Sequence, residues 1–329
     1  MRLKINSCLS AEQVRNIIKV IPSAMPMQLS FKKKPVPVIA AGLPQIDILV
    51  GIGGFPCGRL SEIFGKESSG KTTLALHVAK TAINRGGLVL FIDGEHALDL
   101  NYIDALKINR EYFILAQPSF LEEAYGAIEK FILESRSISR EIPLLVIYDS
   151  VASIPPKAEL EGTLETERPG LLARKTSQGL RKLVSIINKT NACVIFINQL
   201  RERINVRFGS PETTPGGKAL KFYATIRLDM RQVTNDCSID KSIESKIRIK
   251  NVKNKIAVPF KQADLFLRHG YGFNAIKSLW QQAIDSELIK AVSSRSFVYK
   301  ENRISIKSLE LDLELQRELL RGLNLEPKK

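Results

Sequence analysis

The sequence predicts an α/β fold on a mostly parallel sheet, and three observations carry that expectation. Short apolar runs alternate with amphipathic helical stretches from about residue 35 to residue 272, the pattern of repeated strand–helix–strand units. One such run, Arg59–Phe64, leads into the glycine-rich turn Gly65-Lys66-Glu67-Ser68-Ser69-Gly70-Lys71-Thr72, and a helical repeat follows. Another, Leu144–Asp149, is apolar until it stops on a carboxylate. Continuously apolar strands are those buried on both faces, as parallel sheets require.

The elements follow in chain order. Residues 1–34 read as an N-terminal arm. Ser10 and Gln13 fit a capping box, Val14, Ile17, Ile18 and Ile21 recur at helical spacing, and Pro22 and Pro26 end the repeat. The stripe packs either on the main domain or on a neighbouring subunit, with Lys32–Lys34 as a solvated linker. The main domain, 35–272, then gives a strand at Arg59–Phe64 and a helix at Lys71–Arg85 with Ala75, Val78, Ala79, Ala82 and Ile83 on one face, stopped by Gly86-Gly87. Strands are expected at Leu88–Asp93, Leu144–Asp149 and Ala192–Asn198, and helices at Leu121–Arg136 and Gly170–Thr190. From Phe222 to Lys253 apolar residues alternate (Ile226, Leu228, Met230; Ile247, Ile249), which predicts strands with one wetter face. Residues 273–329 form a small C-terminal domain, α/β or helical, with helical stretches at Ile276–Ala291 and Ser308–Gly322.

Composition narrows the function. The chain has 329 residues, 49 Lys and Arg against 34 Asp and Glu, and a net charge of +15. Such an excess favours a polyanionic partner, nucleic acid first, although a general lysine bias would give the same total. No apolar run reaches the roughly 18 residues of a membrane span, and the N-terminus shows no secretory pattern. The four cysteines, Cys8, Cys57, Cys193 and Cys237, form no C-x-x-C pair, so no zinc site or disulfide framework is expected and a cytoplasmic setting fits.

Gly65–Thr72 matches G-x-x-x-x-G-K-[ST] between a strand and a helix. Its backbone N–H groups would face phosphates at a helix N-terminus, Lys71 would bridge the β- and γ-phosphates, and the Thr72 hydroxyl would hold Mg2+. Thr73 completes the ATP-binding stretch. Asp149 reads as the acid acting on Mg2+, since a carboxylate ending a buried strand needs a cation or donor; the other reading is a strand-end turn cap. Asp93 or Glu95 could orient and deprotonate the attacking water, and position favours Glu95. Gln199 could sense the γ-phosphate.

Leu200–Lys218, LRERINVRFGSPETTPGGK, carries Arg201, Arg203, Arg207 and Lys218 beside Phe208. Arginines take phosphates and a phenyl ring stacks on bases; the alternative is a solvated flexible loop. A second loop, Glu159–Pro169, is acidic. Both are expected to leave the sheet edge that carries the nucleotide site.

Together GKESSGKTTLALHVA, FIDGEHALD (91–99), YDSVASIPPKAELEG (148–162), FINQLR (196–201), FGSPETTPGGKALKFYA (208–224) and VKNKIAVPFKQA (252–263) strongly resemble the bacterial RecA recombinases over residues 35–275. The resemblance implies a DNA-dependent ATPase that polymerises on single-stranded DNA with ATP at subunit interfaces, pairs it with homologous double-stranded DNA and exchanges strands, and whose filament promotes self-cleavage of an SOS repressor. By the resemblance Lys71, Thr72 and Asp149 hold MgATP, Glu95 is the catalytic glutamate, and Asp99 and Tyr102 lie at the adenine. The loops at 159–170 and 200–214 are the two DNA loops, Gln199 switches between γ-phosphate and DNA loop, and Lys253 and Lys255 reach ATP from the neighbouring subunit. Phe222 lies at the interface, and Arg174, Ser177, Arg181, Arg201, Phe208, Gly216 and Gly217 contact DNA. The N-terminal arm is then a polymerisation arm.

Several residues depart from the family pattern. Lys66 stands where proline is usual, Gly94 where alanine is, Pro169 where methionine is common, and Asn205 and Lys218 differ in the second loop. The final residues, Leu325–Lys329, are not an acidic tail, which leads us to expect less self-restraint in loading on DNA. A ring-forming helicase or clock-type ATPase of the same fold would have no reason to carry KNKIAVPF and PETTPGGKALKFYA together, and a filament protein without turnover would not need Glu95.

Overall fold

The computed structural model describes residues 12, 16, 19–20, 36–162, 170–202, 212–233, 244–293 and 296–323. Two compact units divide the chain, Met1–Val36 and Pro37–Lys329. In the first, Glu12, Asn16, Lys19 and Val20 are helical; Ser10, Gln13 and the apolar stripe of the expected arm lie outside the described residues.

The second unit is built on a nine-stranded sheet. Its strands are β1 (Arg59–Gly65), β2 (Leu88–Asp93), β3 (Phe113–Ala116), β4 (Leu144–Asp149), β5 (Cys193–Gln199), β6 (Ile226–Gln232), β7 (Glu244–Asn254), β8 (Gln262–Arg268) and β9 (Gly272–Asn274). The order across the sheet is β9-β8-β7-β6-β1-β5-β4-β2-β3. The six strands from β6 to β3 run parallel, and β7, β8 and β9 add on antiparallel. The mostly parallel sheet is therefore observed, with an antiparallel flank where the sequence alternates. Ile226, Leu228, Met230, Ile247 and Ile249 are all buried.

Helices cover both faces. On one, α1 (Lys71–Asn84) buries Ala75, Val78, Ala79, Ala82 and Ile83 against Ile63, Ile147, Ile195 and Met230. On the other, α3 (Leu121–Ile138) and α4 (Leu171–Thr190) bury Ala124, Ile128, Leu180, Leu183 and Ile187 against Leu60, Val146, Val194 and Phe196. A short helix α2 (Leu100–Ala105) follows β2, and α5 (Ala219–Tyr223) precedes β6. The C-terminal region forms its own apolar cluster, in which α6 (Ala275–Asp285) places Trp280 against Phe297. It holds a three-stranded antiparallel sheet, β10 (Lys290–Ser293), β11 (Ser296–Tyr299) and β12 (Asn302–Ile304), and two helices, α7 (Ile306–Leu311) and α8 (Leu313–Gly322).

Two expectations need correction, and three strands went unread. The helix expected to reach Ala291 ends at Asp285, and Ala291 lies on β10. The expected helix 308–322 is two helices, because the Asp312 side chain accepts the N–H groups of Glu314 and Leu315 and starts a new one. β3 shows no alternation, its two middle residues Ile114 and Leu115 being 43% and 39% exposed on opposite faces, so no period marked it. β8 and β9 went unread because QADLFLRHGYGFN has an apolar–polar period broken by glycines.

Two features of the packing yield predictions. A Cβ on Gly65 would lie 2.2 Å from the Met230 carbonyl oxygen of β6, so the strands must separate to admit a methyl group. In α3, by contrast, a Cβ on Gly126 would meet nothing within 4 Å. Gly65→Ala should cost about 3 kcal/mol, through overpacking, and Gly126→Ala should gain about 0.5–1 kcal/mol from reduced chain entropy; chemical denaturation of both variants checks the contrast. Asp47, in the helix Pro44–Leu49, accepts the Ala41 N–H at 2.6 Å. Burial pushes its pKa from 3.8 up to about 7, against the pull of the Ala41 and Gly42 amides and of Arg85. The native state thus holds this proton more tightly than the unfolded chain, so the contribution of Asp47 is fully present below about pH 4 and is lost as pH rises through about 7. Asp47→Asn should gain at least about 1 kcal/mol on the wild type between about pH 4 and pH 8, measured by paired denaturation curves; a constant difference across that range would contradict the assignment.

Candidate active site

The parallel strands align their C-terminal ends. Gly65 of β1 pairs with Gln199 of β5, and Asp93 of β2 with Asp149 of β4. The loop after β1, the two strand-end acids and the start of the 200–214 loop therefore meet at one edge, the crevice where open α/β sheets bind ligands.

The Gly65–Thr72 loop curls through left-handed Ser68 (φ 56°) and Gly70 (φ 79°) before α1 begins. Lys71 Nζ donates to the Lys66 carbonyl at 2.6 Å and Ser69 Oγ donates to the same oxygen at 2.8 Å. Burial pulls the Lys71 ammonium below its usual pKa, while Asp149, Glu95 and Glu67 pull it back up. The Thr72 hydroxyl donates to Asp149 Oδ2 at 2.6 Å, joining α1 to β4. Asp149 is 9% exposed, and burial, reinforced by Glu95 and Asp93, pushes its pKa up to about 6 despite Thr72 and Lys71.

A hydroxyl and a carboxylate short of positive charge are the oxygen donors Mg2+ takes, with phosphate and water completing its shell. No group of three or more His, Cys, Asp or Glu among the described residues could form an all-protein metal cage. The donor set fits an ion that arrives with a phosphorylated ligand.

Beside this pair, Glu95 Oε1 accepts from Ser150 Oγ at 2.7 Å and from Gln199 Nε2 at 2.9 Å. Two residues proposed from sequence as separate members of the site thus touch directly. Asp93 is not equivalent: its oxygens accept the backbone N–H groups of Ala97 and Leu98 and the Gln117 amide, which commits it to holding the 94–98 turn. A Cβ on Gly94 would sit 2.4 Å from Ile154, so Ile154 fills the space a side chain there would need.

Thr72, Thr73, Asp93, Glu95, Asp99, Tyr102 and Asp149 line one cavity of about 450 Å³. Tyr102 OH lies 2.9 Å from Thr73 Oγ1, and Asp99 caps α2 by accepting the Asn101 N–H. Leu267, His269 and Gly270, at the end of β8, form the far wall. Sequence reading missed these three; the signal that could have found them was the RHGYG turn closing a strand next to VPFKQA.

Other expected site residues gather elsewhere. Lys253 Nζ donates to the carbonyls of Lys221 and Phe222, and Lys255 Nζ to that of Phe222 at 2.9 Å. Both ammoniums therefore cap the C-terminal end of α5, and neither residue lines the cavity beside Thr72 and Asp149. Phe222 projects from that helix, 69% exposed. Arg174, Ser177 and Arg181 fall on one side of α4, opposite Thr176, Leu180 and Leu183, with both arginines exposed. Gly216 and Gly217 adopt φ of 80° and 76°, and a Cβ on them would lie 2.7 Å from Val151 and 2.8 Å from Ala173, so the end of the loop lies against the start of α4. At the loop's base Arg201–Glu202 pairs antiparallel with Glu212–Thr213, a ribbon not read from sequence. Arg203, Asn205, Arg207 and Phe208 lie outside the described residues, as does Pro169 with most of the Glu159–Pro169 loop. No helix among the described residues is long and apolar enough to cross a membrane.

Comparison with known proteins agrees with this geometry. The family described as RecA N-terminal domain matches residues 10–274. The chain is 44% identical over 280 residues to Protein RecA of Deinococcus radiodurans, covering 84% of this chain and 75% of that protein. It is 46% identical over 266 residues to Protein RecA of Geobacter metallireducens, covering 81% and 76%. It is 43% identical over 303 residues to Protein RecA of Caldanaerobacter subterraneus, covering 89% and 86%. The site, the fold and these matches show that the chain belongs to the RecA family, the DNA-dependent ATPases that form filaments on single-stranded DNA and exchange strands in recombinational repair.

Proposed function

We propose that this recombinase binds ATP at Gly65–Thr73, Asp99 and Tyr102, and that the direct Glu95–Gln199 hydrogen bond links hydrolysis to DNA. That bond is the observation that carries the reading. Glu95 is placed to orient a water and take its proton as the water attacks the γ-phosphate. Gln199 holds Glu95 through the same Nε2 that could donate to a phosphate oxygen. Engagement of phosphate would therefore release Glu95 and move the first residue of the DNA loop. Lys71 supplies the charge at the β- and γ-phosphates. Thr72 and Asp149 would hold Mg2+, which neutralises charge developing on the phosphates when bound.

Single-stranded DNA meets the exposed side of α4, Arg174, Ser177 and Arg181, together with Arg201, Gly216 and Gly217 and the loop residue Phe208. Double-stranded DNA is the second substrate of strand exchange. Lys253 and Lys255 act on the ATP of a neighbouring subunit; their absence from the lining of the cavity and their seat beside exposed Phe222 support this, and make Phe222 a filament contact. We assign residues 1–34 as the polymerisation arm, 35–272 as the ATPase core and 273–329 as a small C-terminal domain. The filament acts in the cytoplasm, where it also promotes self-cleavage of an SOS repressor; the free, buried thiols of Cys57 and Cys193 agree with a reducing compartment.

Glu95→Gln keeps both hydrogen bonds possible but removes the base, so filaments should still form on single-stranded DNA while ATP turnover falls at least ~100-fold. Turnover near wild type would remove Glu95 from the role. Lys253→Ala should lower turnover at least ~10-fold in DNA-bound filaments, through lost charge at the phosphates, and leave the slow DNA-free turnover of dilute protein unchanged. An equal loss in both states would place Lys253 in its own subunit's site.

A further inference from the structure

Beneath the end of the 200–214 loop lies a polar cluster set in an apolar layer. Glu62 of β1 is fully buried. One of its oxygens accepts from Arg227 Nε at 2.5 Å and the other from Asn198 Nδ2 at 3.1 Å. The same Asn198 nitrogen donates to the Pro215 carbonyl at 3.1 Å. Asn198 Oδ1 accepts the backbone N–H of Gln199, also at 3.1 Å. The Arg227 guanidinium lies over the Phe64 ring, 4.4 Å from its centre, and Arg227 stands opposite Lys253 on the adjoining strand.

Stability is a poor reason for this arrangement. Burying an ion pair costs desolvation that its attraction barely offsets, and an apolar replacement of similar volume is often neutral or better. What the cluster does is fix positions. Both protons of the Asn198 amide are used and its oxygen is taken, so a displacement of Pro215 cannot be absorbed by rotating that side chain without breaking the contacts to Glu62 and Gln199. Glu62 is held on its other side by Arg227. The contacts run from the end of the DNA loop to the residue that holds Glu95, and from there through the buried pair to the strand position facing Lys253.

We propose that Asn198 and Glu62 are positioning residues that carry the state of the 200–214 loop to Gln199 and to Lys253, making ATP turnover respond to DNA. The proposal rests on the reading that Gln199 and Lys253 act at the nucleotide. Neither Asn198 nor Glu62 lines the nucleotide cavity, so their effect should appear in the response to DNA rather than in binding.

The test compares the wild-type full chain with Asn198→Ala and with the double variant Glu62→Gln/Arg227→Met. The double variant removes both buried charges and keeps an acceptor for Asn198, so it guards against a single variant that fails to fold. Four quantities are measured: ATP turnover with and without single-stranded DNA, DNA affinity by fluorescence anisotropy, nucleotide affinity without DNA, and melting temperature. The stimulation of turnover by DNA should fall at least ~10-fold in both variants while the two affinities stay within ~3-fold, a loss in the usual range of coupling between sites. Adding Lys253→Ala to the double variant should then cost no more than ~3-fold further, because coupled positions are not additive. Stimulation retained in both variants would overturn the proposal, as would a joint fall of stimulation, affinities and melting temperature, which marks a merely structural role. A wild type that DNA does not stimulate would instead defeat the reading on which the proposal rests.

Discussion

Everything at this site hangs on how β1 is held. It has parallel neighbours on both sides, β5 and β6, and ends where the backbone of β6 leaves no room for a side chain on Gly65. The loop that follows must therefore turn at once out of the sheet and into α1. That turn delivers Lys71 and Thr72 to the strand-end acid Asp149. The parallel register then sets Gln199 beside Gly65, and the Leu200 N–H bonds to the Gly65 carbonyl. The start of the 200–214 loop is thus tied to the Gly65–Thr72 loop through the backbone.

The electrostatics of the cavity follow from the same crowding. Asp93, Glu95 and Asp149 share a partly enclosed edge, and burial raises the pKa of Asp149 to about 6. Its answering cation, Lys71, turns back onto the Lys66 carbonyl instead of pairing with it. A ligand carrying phosphates and a divalent ion would supply what each group lacks: acceptors for the lysine and charge for the acids. Lys253 and Lys255 likewise rest their ammoniums on carbonyls at the C-terminal end of α5.

Much of this was legible in the sequence. A strand, a glycine-rich loop and a helix in succession leave few alternatives, and the apolar faces of α1, α3 and α4 repeat at a clear period. The core strands were read to within a residue for the same reason. What escaped were elements whose signal is not periodic: β3, exposed at an edge; β8 and β9, broken by Arg268-His269-Gly270; and the break at Asp312, where one side chain decides between one helix and two. The site divides the same way. Residues within a contiguous motif were found, whereas the wall formed by Leu267, His269 and Gly270 is brought in by the antiparallel flank, which local spacing does not announce. The Glu62–Asn198–Arg227 cluster joins three strands, and no local pattern in any one of them marks it.

The central claim is that the nucleotide site and the DNA loops form one device. The most direct test is the steady-state rate of ATP hydrolysis by the full chain at saturating ATP and Mg2+, with and without single-stranded DNA. The account predicts stimulation of at least ~10-fold, the size of an ordinary coupling between sites. Equal rates with ATP still bound would contradict it, leaving a nucleotide site that works without reference to the loops beside it.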